Sequence, residues 1–211
     1  DPADSNRMED IYLWDLRDGR VSCLTSMQGL RPDTNEWVFL APAPSADGNA
    51  MAFLRQPAGS FWQASLLVWD LPAARIEEVL GSRPLTLSNF PTNPIPEAER
   101  VCGRPTLSAD GKRMAFMCGT LVNRMREDGF VLEQYHLVLY DRGAATMRGL
   151  VQPTDKMAWP VLSGDGSAVL VFLNENAFKP GPVRFPQPDD SPTGPFKLWL
   201  VPVAGGPARE I

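Results

Sequence analysis

A single histidine, His136, is the only side chain of this 211-residue sequence whose ordinary pKa lies near neutrality. One imidazole cannot build the His-rich motifs that hold catalytic metals, and no Gly-x-Ser-x-Gly elbow accompanies it, so the sequence lacks the signature of a self-contained serine hydrolase. The thiols are Cys23, Cys102 and Cys118. Cys102, Cys118 and His136 together could make a metal site or a Cys/His nucleophile, but the pattern fixes neither a fourth ligand nor an orienting carboxylate for them. Three carboxylates recur in one context, Asp47, Asp110 and Asp165, each followed by a glycine (Gly48, Gly111, Gly166). A general acid and base must flank one bond, and residues that recur once per repeat unit lie too far apart to do so; these read as turn residues. Six tryptophans keep carbohydrate binding in view.

The elements that position these residues come from a repeat. "RPTLSADGKRMAFMCG" (104–119) shares its pattern with "APAPSADGNAMAFLRQ" (41–56) and "WPVLSGDGSAVLVFLN" (159–174). In each, a proline (Pro42, Pro105, Pro160) precedes a serine (Ser45, Ser108, Ser163), an Asp-Gly pair, and an apolar strand with Phe53, Phe116 and Val171 in one column. The Asp carboxylate can accept from backbone N–H groups of its own turn, and Gly takes the left-handed conformation that a three-residue bulged hairpin requires. A second pattern follows each copy: "LLVWDLPAARIEEVL" (66–80), "LVLYDRGAATMRGLV" (137–151) and "LWLVPVAGGPAREI" (198–211). It also opens the sequence as "IYLWDLRDGRVSCLT" (11–25), with no Ser-x-Asp-Gly hairpin before it.

Each whole unit therefore holds four antiparallel strands, and Asp-Gly pairs recur at about 55 to 63 residues, the arithmetic of a β-propeller blade. "AARIEEVL" (73–80) has tolerable helix propensity, which its place as a fourth strand overrides. The fold class is all-β, a β-propeller of four-stranded antiparallel blades with about three and a half blades present and an open or incomplete ring. The chain reads as one domain, 1–211, divided into a half-unit (10–27) and units of about 38–82, 103–152 and 158–211. A β-sandwich is the alternative, but sandwich strands have no reason to repeat a motif in phase.

The "P-x-x-S-x-D-G-x-x-x-x-F" hairpin, followed by a hydrophobic-x-Asp strand, resembles the WD-repeat-like blades of the TolB and tricorn-protease type. That resemblance implies a propeller, and it implies functions as different as partner-binding platforms, gating domains of serine peptidases and sugar-processing scaffolds. Pro202 stands where Asp15, Asp70 and Asp141 stand in the other units. Three and a half units do not close a ring, so closure falls to a further part of the polypeptide, a second copy or a partner.

In an up-and-down blade the turns joining strands one to two and three to four share one end. Here these are tight, "SADG", "SADG", "SGDG" and "RDG", "PAA", "RGA", "AGG", whereas the links at the other end are long: 26–36, 56–65, 81–100, 119–135 and 174–197. Long connections in compact domains concentrate function. Trp14, Trp69 and Trp199 fall on third strands and read as inter-blade core. Trp37 and Trp159, placed just before first strands, with Trp62, Phe90, Phe130 and Phe185 from the long links, form a candidate partner-binding patch, set against simple self-packing of those links. If Ser108 and Lys112 flank the second hairpin, cross-strand partners sum to 220, which sets Cys102 opposite Cys118 near the long-link end. A disulfide and free thiols are both compatible with that placement, and Cys23 is left as a core thiol.

A net charge of −5 and a pI near 5.0, with no Lys/Arg-rich run, argue against nucleic acid and acidic membranes as partners. No apolar run approaches the roughly 20 residues of a transmembrane helix. The opening "DPADSNRMED", without Met or an apolar signal core, reads as a processed or trimmed start. The function expected is a non-catalytic, extracytoplasmic scaffold that contacts a protein partner through its long-link face or open edge, needing no cofactor or metal, with self-association as one way to complete the ring. The alternatives are the propeller portion of a larger hydrolase of prolyl-oligopeptidase or tricorn type, and a carbohydrate-binding propeller.

Overall fold

The computed structural model describes residues 9–27, 37–59, 64–81, 85–87, 100–126, 129–151, 157–173 and 197–211. Alternating strands rich in β-branched and aromatic residues pair antiparallel into three four-stranded sheets and one two-stranded sheet. The two-stranded sheet is the half-unit, β1 (Tyr12–Trp14) and β2 (Val21–Cys23). Blade one runs β3 (Trp37–Pro44), β4 (Ala50–Pro57), β5 (Ser65–Asp70), β6 (Arg75–Leu80) in spatial order. Blade two is β7 (Arg100–Leu107), β8 (Arg113–Arg126), β9 (Gly129–Asp141), β10 (Thr146–Gly149), and blade three is β11 (Met157–Leu162), β12 (Ala168–Leu173), β13 (Lys197–Pro202), β14 (Arg209–Glu210). The helix among the described residues is a single turn, α1 (Leu24–Met27), where continued strand was expected through Thr25.

Burial divides by blade junction. Ile11 and Leu24 of the half-unit pack with Phe39, Met51, Phe53, Leu67 and Trp69 of blade one. A second cluster joins blades one and two through Leu54, Leu66, Val68, Phe116, Val138 and Tyr140, and a third joins blades two and three through Ala115, Leu137, Leu139, Val169, Val171 and Val201. Phe53, Phe116 and Val171 are each 0% exposed, so the column read from the repeat faces the preceding unit every time.

The serine hairpins are built the same way three times. Ser45 Oγ donates to Asp47 Oδ1 at 2.6 Å, Ser108 to Asp110 at 2.7 Å and Ser163 to Asp165 at 2.6 Å, while each carboxylate accepts the backbone N–H two residues on. The turn is one residue wider than the three-residue loop expected. Ser45 N–H donates to Ala50 O and Ser108 N–H to Arg113 O, so Arg113, not Lys112, closes the second hairpin. Near the turn, pairs sum to 221 (Leu107 with Met114), and beyond a bulge between Gly103 and Thr106 they return to 220. The bulge holds Arg104 at φ 54° directly before Pro105, and Ala41 repeats it at φ 51° before Pro42. A proline cannot donate to a ladder, so it sits where the ladder is interrupted.

The third-strand aspartates serve the other tight turn: Asp70 Oδ1 accepts from Ala73 N–H and Asp141 Oδ1 from Ala144 N–H, each at 3.1 Å. The two turns of each blade are tied at one end by Leu71 N–H to Asn49 O, Arg142 N–H to Lys112 O and Val203 N–H to Ser167 O. Successive blades are linked there as well, by Asp47 N–H to Ala109 O and Ala109 N–H to Gly164 O.

Three further expectations change. The 119–135 segment is not a loop: β8 and β9 continue their ladder from Thr120 opposite Gln134 to Arg126 opposite Gly129, because "TLV" and "FVL" carry strand-forming residues either side of an Asp-Gly. This adds roughly 20 Å of two-stranded arm at the long-link end. Trp14 is not core; it is 64% exposed, whereas Trp69 in the same column is 4% exposed. Cys23 is half-buried rather than core, its Sγ 3.5 Å from Thr25 Oγ1.

Candidate functional site

The long-link end of the first two blades brings two groups of side chains together. In blade one, Trp37 lies on β3 opposite Pro57, inside the first strand rather than before it. The Arg55 guanidinium sits 4.8 Å from the Trp37 ring centroid and donates to Glu78 Oε2 at 3.1 Å. The strand pleat dictates the trio: Phe39 pairs Arg55, and Leu67 pairs Glu78, which puts all three on the face that carries Phe53 and Trp69. Arg55 Nε is buried with no partner among the described residues. The indole and guanidinium together combine the two residue types that most often anchor protein partners.

In blade two, Cys102, Cys118 and His136 form one row across β7, β8 and β9, since Cys102 pairs Cys118 and Cys118 pairs His136. Cys102 and Cys118 are joined as a disulfide with Cα atoms 4.0 Å apart. A bonded cystine supplies no thiolate to attack a substrate or hold a metal. Among the described residues no cluster of three His, Cys, Asp or Glu side chains is arranged for a metal. His136 is 3% exposed, and its Nδ1 finds no hydrogen-bond partner among those residues. Burial pushes its pKa down to about 4, so the imidazole is neutral at pH 7.

The opposite end is polar and self-satisfied. The hydroxyl of Ser163 and the Ser167 groups hold the Asp165 carboxyl down to about 2, and Ser45 and Ser108 hold Asp47 and Asp110 below their usual range. Between blades one and two, Tyr140 donates to Glu77 Oε1 at 2.5 Å and Arg142 Nε to Glu77 Oε2 at 3.2 Å. Burial, and then the Glu77 carboxylate, push the Tyr140 phenol up to about 12. This trio fastens one blade to the next.

Of the aromatic patch read from the sequence, Trp37 is the member whose surroundings are described. Trp62, Phe90 and Phe185 lie outside the described residues. Trp159 lies on β11 and Phe130 on β9, both within strands rather than links, and their side chains lie outside the described residues. Arg55 and Glu78 are not among the residues that the repeat pattern singles out; a cationic residue in the strand-two apolar column, where the other blades have Cys118 and Leu173, is the available signal.

Blades of four antiparallel strands, stacked face to face with first strands adjacent, define this chain as a β-propeller-type protein. No family model matches the sequence, and no curated protein does. Solved structures do. TolB from Acinetobacter baumannii is similar at 18% identity and a TM-score of 0.52, covering 95% of this chain and 37% of that one. A structure from work on two prolyl endopeptidases matches at 16% identity and a TM-score of 0.55, covering 97% of this chain and 26% of the other. A puromycin-hydrolysing peptidase of Mycobacterium tuberculosis matches at 13% and 0.56, covering 96% and 27%. The fold is thus a propeller of the TolB type, similar to those in TolB and in peptidases, and the chain spans well under half the length of each of these proteins.

Proposed function

We propose that this chain is a non-catalytic binding module that contacts a protein partner at its long-link end. The observation that carries the reading is the difference between the two ends. The tight-turn end uses its side chains on its own backbone, whereas the other end carries the Trp37–Arg55 pair and the β8–β9 arm. The buried neutral His136 beside a cystine favours binding over acid–base chemistry. That disulfide also favours an extracytoplasmic setting, where oxidised cysteines persist.

The test places a photo-crosslinking amino acid at Val122 or Val131 on the arm and, separately, at Asn49 or Lys112 on the tight turns, in the organism's own extracts. Partner adducts from the arm positions, lost in Trp37→Ala/Arg55→Ala, are expected. Equal labelling from both ends, or peptidase activity of the purified chain, would overturn the reading.

A further inference from the structure

A polar group buried in a fold needs a partner, and the imidazole of His136 lacks one. The residue is 3% exposed, and its Nδ1 has no hydrogen-bond partner among the described residues. The repeat does not demand a buried imidazole at this place. The corresponding rows run Phe39, Arg55, Ser65 in blade one and Met157, Leu173, Lys197 in blade three, and neither Ser65 nor Lys197 is buried. Lys197 reaches Glu210 Oε2 at 3.0 Å, whereas His136 stays inside.

What His136 has beside it is sulfur. Cys118 pairs His136 and Cys102 pairs Cys118, so three groups able to bind a metal follow one another across β7, β8 and β9. The pleat sets them on one face, because His136 shares its side of β9 with Val138, which packs with Cys102 and Cys118 between blades one and two. Cys102 is 3% and Cys118 0% exposed, so the whole row is shielded. Bonded to each other, the two sulfurs offer no thiolate. As a dithiol they would offer two, beside an imidazole that burial keeps in the neutral, metal-binding form.

We propose that Cys102, Cys118 and His136 form a redox-gated zinc site, closed while the cysteines are bonded and opened when they are reduced. A dithiol reductant gives two electrons to the cystine: the Cys102–Cys118 bond breaks, a disulfide forms in the reductant, and its two protons pass to the freed sulfurs. Zn²⁺ then binds both sulfurs and one imidazole nitrogen, and the two thiol protons leave to solvent. Charge favours a divalent ion, since two thiolates and Zn²⁺ cancel in an apolar junction where a monovalent soft ion would leave a net charge. Two thiolates and one imidazole, with a water as fourth ligand, are an attested zinc set. Bonds of about 2.3 Å to sulfur and about 2.0 Å to nitrogen can bridge strands spaced about 4.8 Å apart. The site stands whether or not the Trp37–Arg55 pair binds a partner.

The test reduces the whole chain with a phosphine under argon, removes the reductant, and titrates with Co²⁺, a spectroscopic stand-in for zinc, followed by Zn²⁺ in competition. One equivalent of Co²⁺ should bind with the absorption of a tetrahedral thiolate site, and Zn²⁺ should displace it. The unreduced chain and Cys102→Ala/Cys118→Ala should show no such spectrum, and Cys23→Ser should leave it unchanged. His136→Leu should weaken zinc binding at least about tenfold, and bound zinc should slow re-formation of the cystine at least about tenfold, because metal-held thiolates are withdrawn from exchange. Since the cystine is buried, the chain is also reduced in denaturant and refolded with and without Zn²⁺, where zinc should raise the Tm of the reduced chain but not that of His136→Leu. Absence of the cobalt spectrum after both routes of reduction, a spectrum and affinity indifferent to His136→Leu, or reoxidation at the same rate with and without zinc would overturn the proposal.

Discussion

The junction between blades one and two and the half-unit at β1–β2 are written in the same repeat, yet they reach opposite states of burial. At the junction Phe116, Val138 and Leu66 are 0% exposed and Tyr140 is tied to Glu77 of the neighbouring blade. At the half-unit Leu13, Trp14 and Val21 are all more than half exposed. Alternation and turn chemistry fix each strand and hairpin locally, whereas burial is conferred by the blade next door. Stability should therefore be concentrated at the junctions and nearly absent along β1.

The sharpest way to break that contrast is to truncate one residue of each kind. Phe116→Ala opens a cavity between two blades and should cost about 3–5 kcal/mol. Trp14→Ala, at an exposed site, should stay within about 0.5 kcal/mol. Urea melts of the two variants compare them directly, and similar losses would erase the distinction.

Next in size is the covalent tie. Cys102 and Cys118 close a loop with a separation of 16 residues, so Cys102→Ala/Cys118→Ala should lose roughly 3 kcal/mol on chain-entropy grounds. Cys23→Ser on the half-unit should change stability by less than about 0.5 kcal/mol. Non-reducing mass spectrometry, finding one alkylatable thiol in the native chain, checks the pairing before the melts are compared.

Acid should act on the same junction. His136 is held neutral, with a folded pKa of about 4 against an ordinary value near 6.5. Its contribution is present in full above pH 6.5 and is lost as pH falls from there through about 4, because the unfolded chain takes up a proton that the folded chain refuses. The loss should be on the order of 3 kcal/mol. In His136→Leu the slope between pH 6.5 and 4 should flatten, leaving the turn carboxylates, held low by their serines, to titrate at still lower pH.

The smallest effect compares two glycines of one conformation. Gly111→Ala meets both the left-handed φ and the Ala50 contact, and should cost about 2–3 kcal/mol; Gly48→Ala meets only the φ, for about 1 kcal/mol. Equal melting shifts would mean that the blades do not pack turn against turn.

What could be read in advance follows the same division. The repeat gave the four-strand order, the Asp-Gly turns and the Phe53–Phe116–Val171 column, because these depend on period and local hydrogen bonding. The register did not follow so simply. Taking Lys112 instead of Arg113 as the closing residue still puts Cys102 opposite Cys118, because the bulge at Arg104, which the repeat does not announce, shifts the register back by one. Ala74 and Ala145 hold φ of 48° and 52° in turns where no glycine announces it. Trp14 shares a column that is core elsewhere, but burial requires a neighbour that a column of residue types does not supply. The Trp37–Arg55–Glu78 group was half legible, since its tryptophan stood out while its charged members lay hidden in an apolar strand.

Native-state hydrogen exchange followed strand by strand tests the central claim most directly, because it reads the free energy of opening at each amide. The account predicts that β4 and β8 amides around Phe53 and Phe116 exchange only through global unfolding, while those of Leu13 and Trp14 exchange orders of magnitude faster, through opening of the half-unit alone. Uniform protection across β1, β4 and β8 would contradict it, showing that the half-unit is as firmly held as the blades it adjoins.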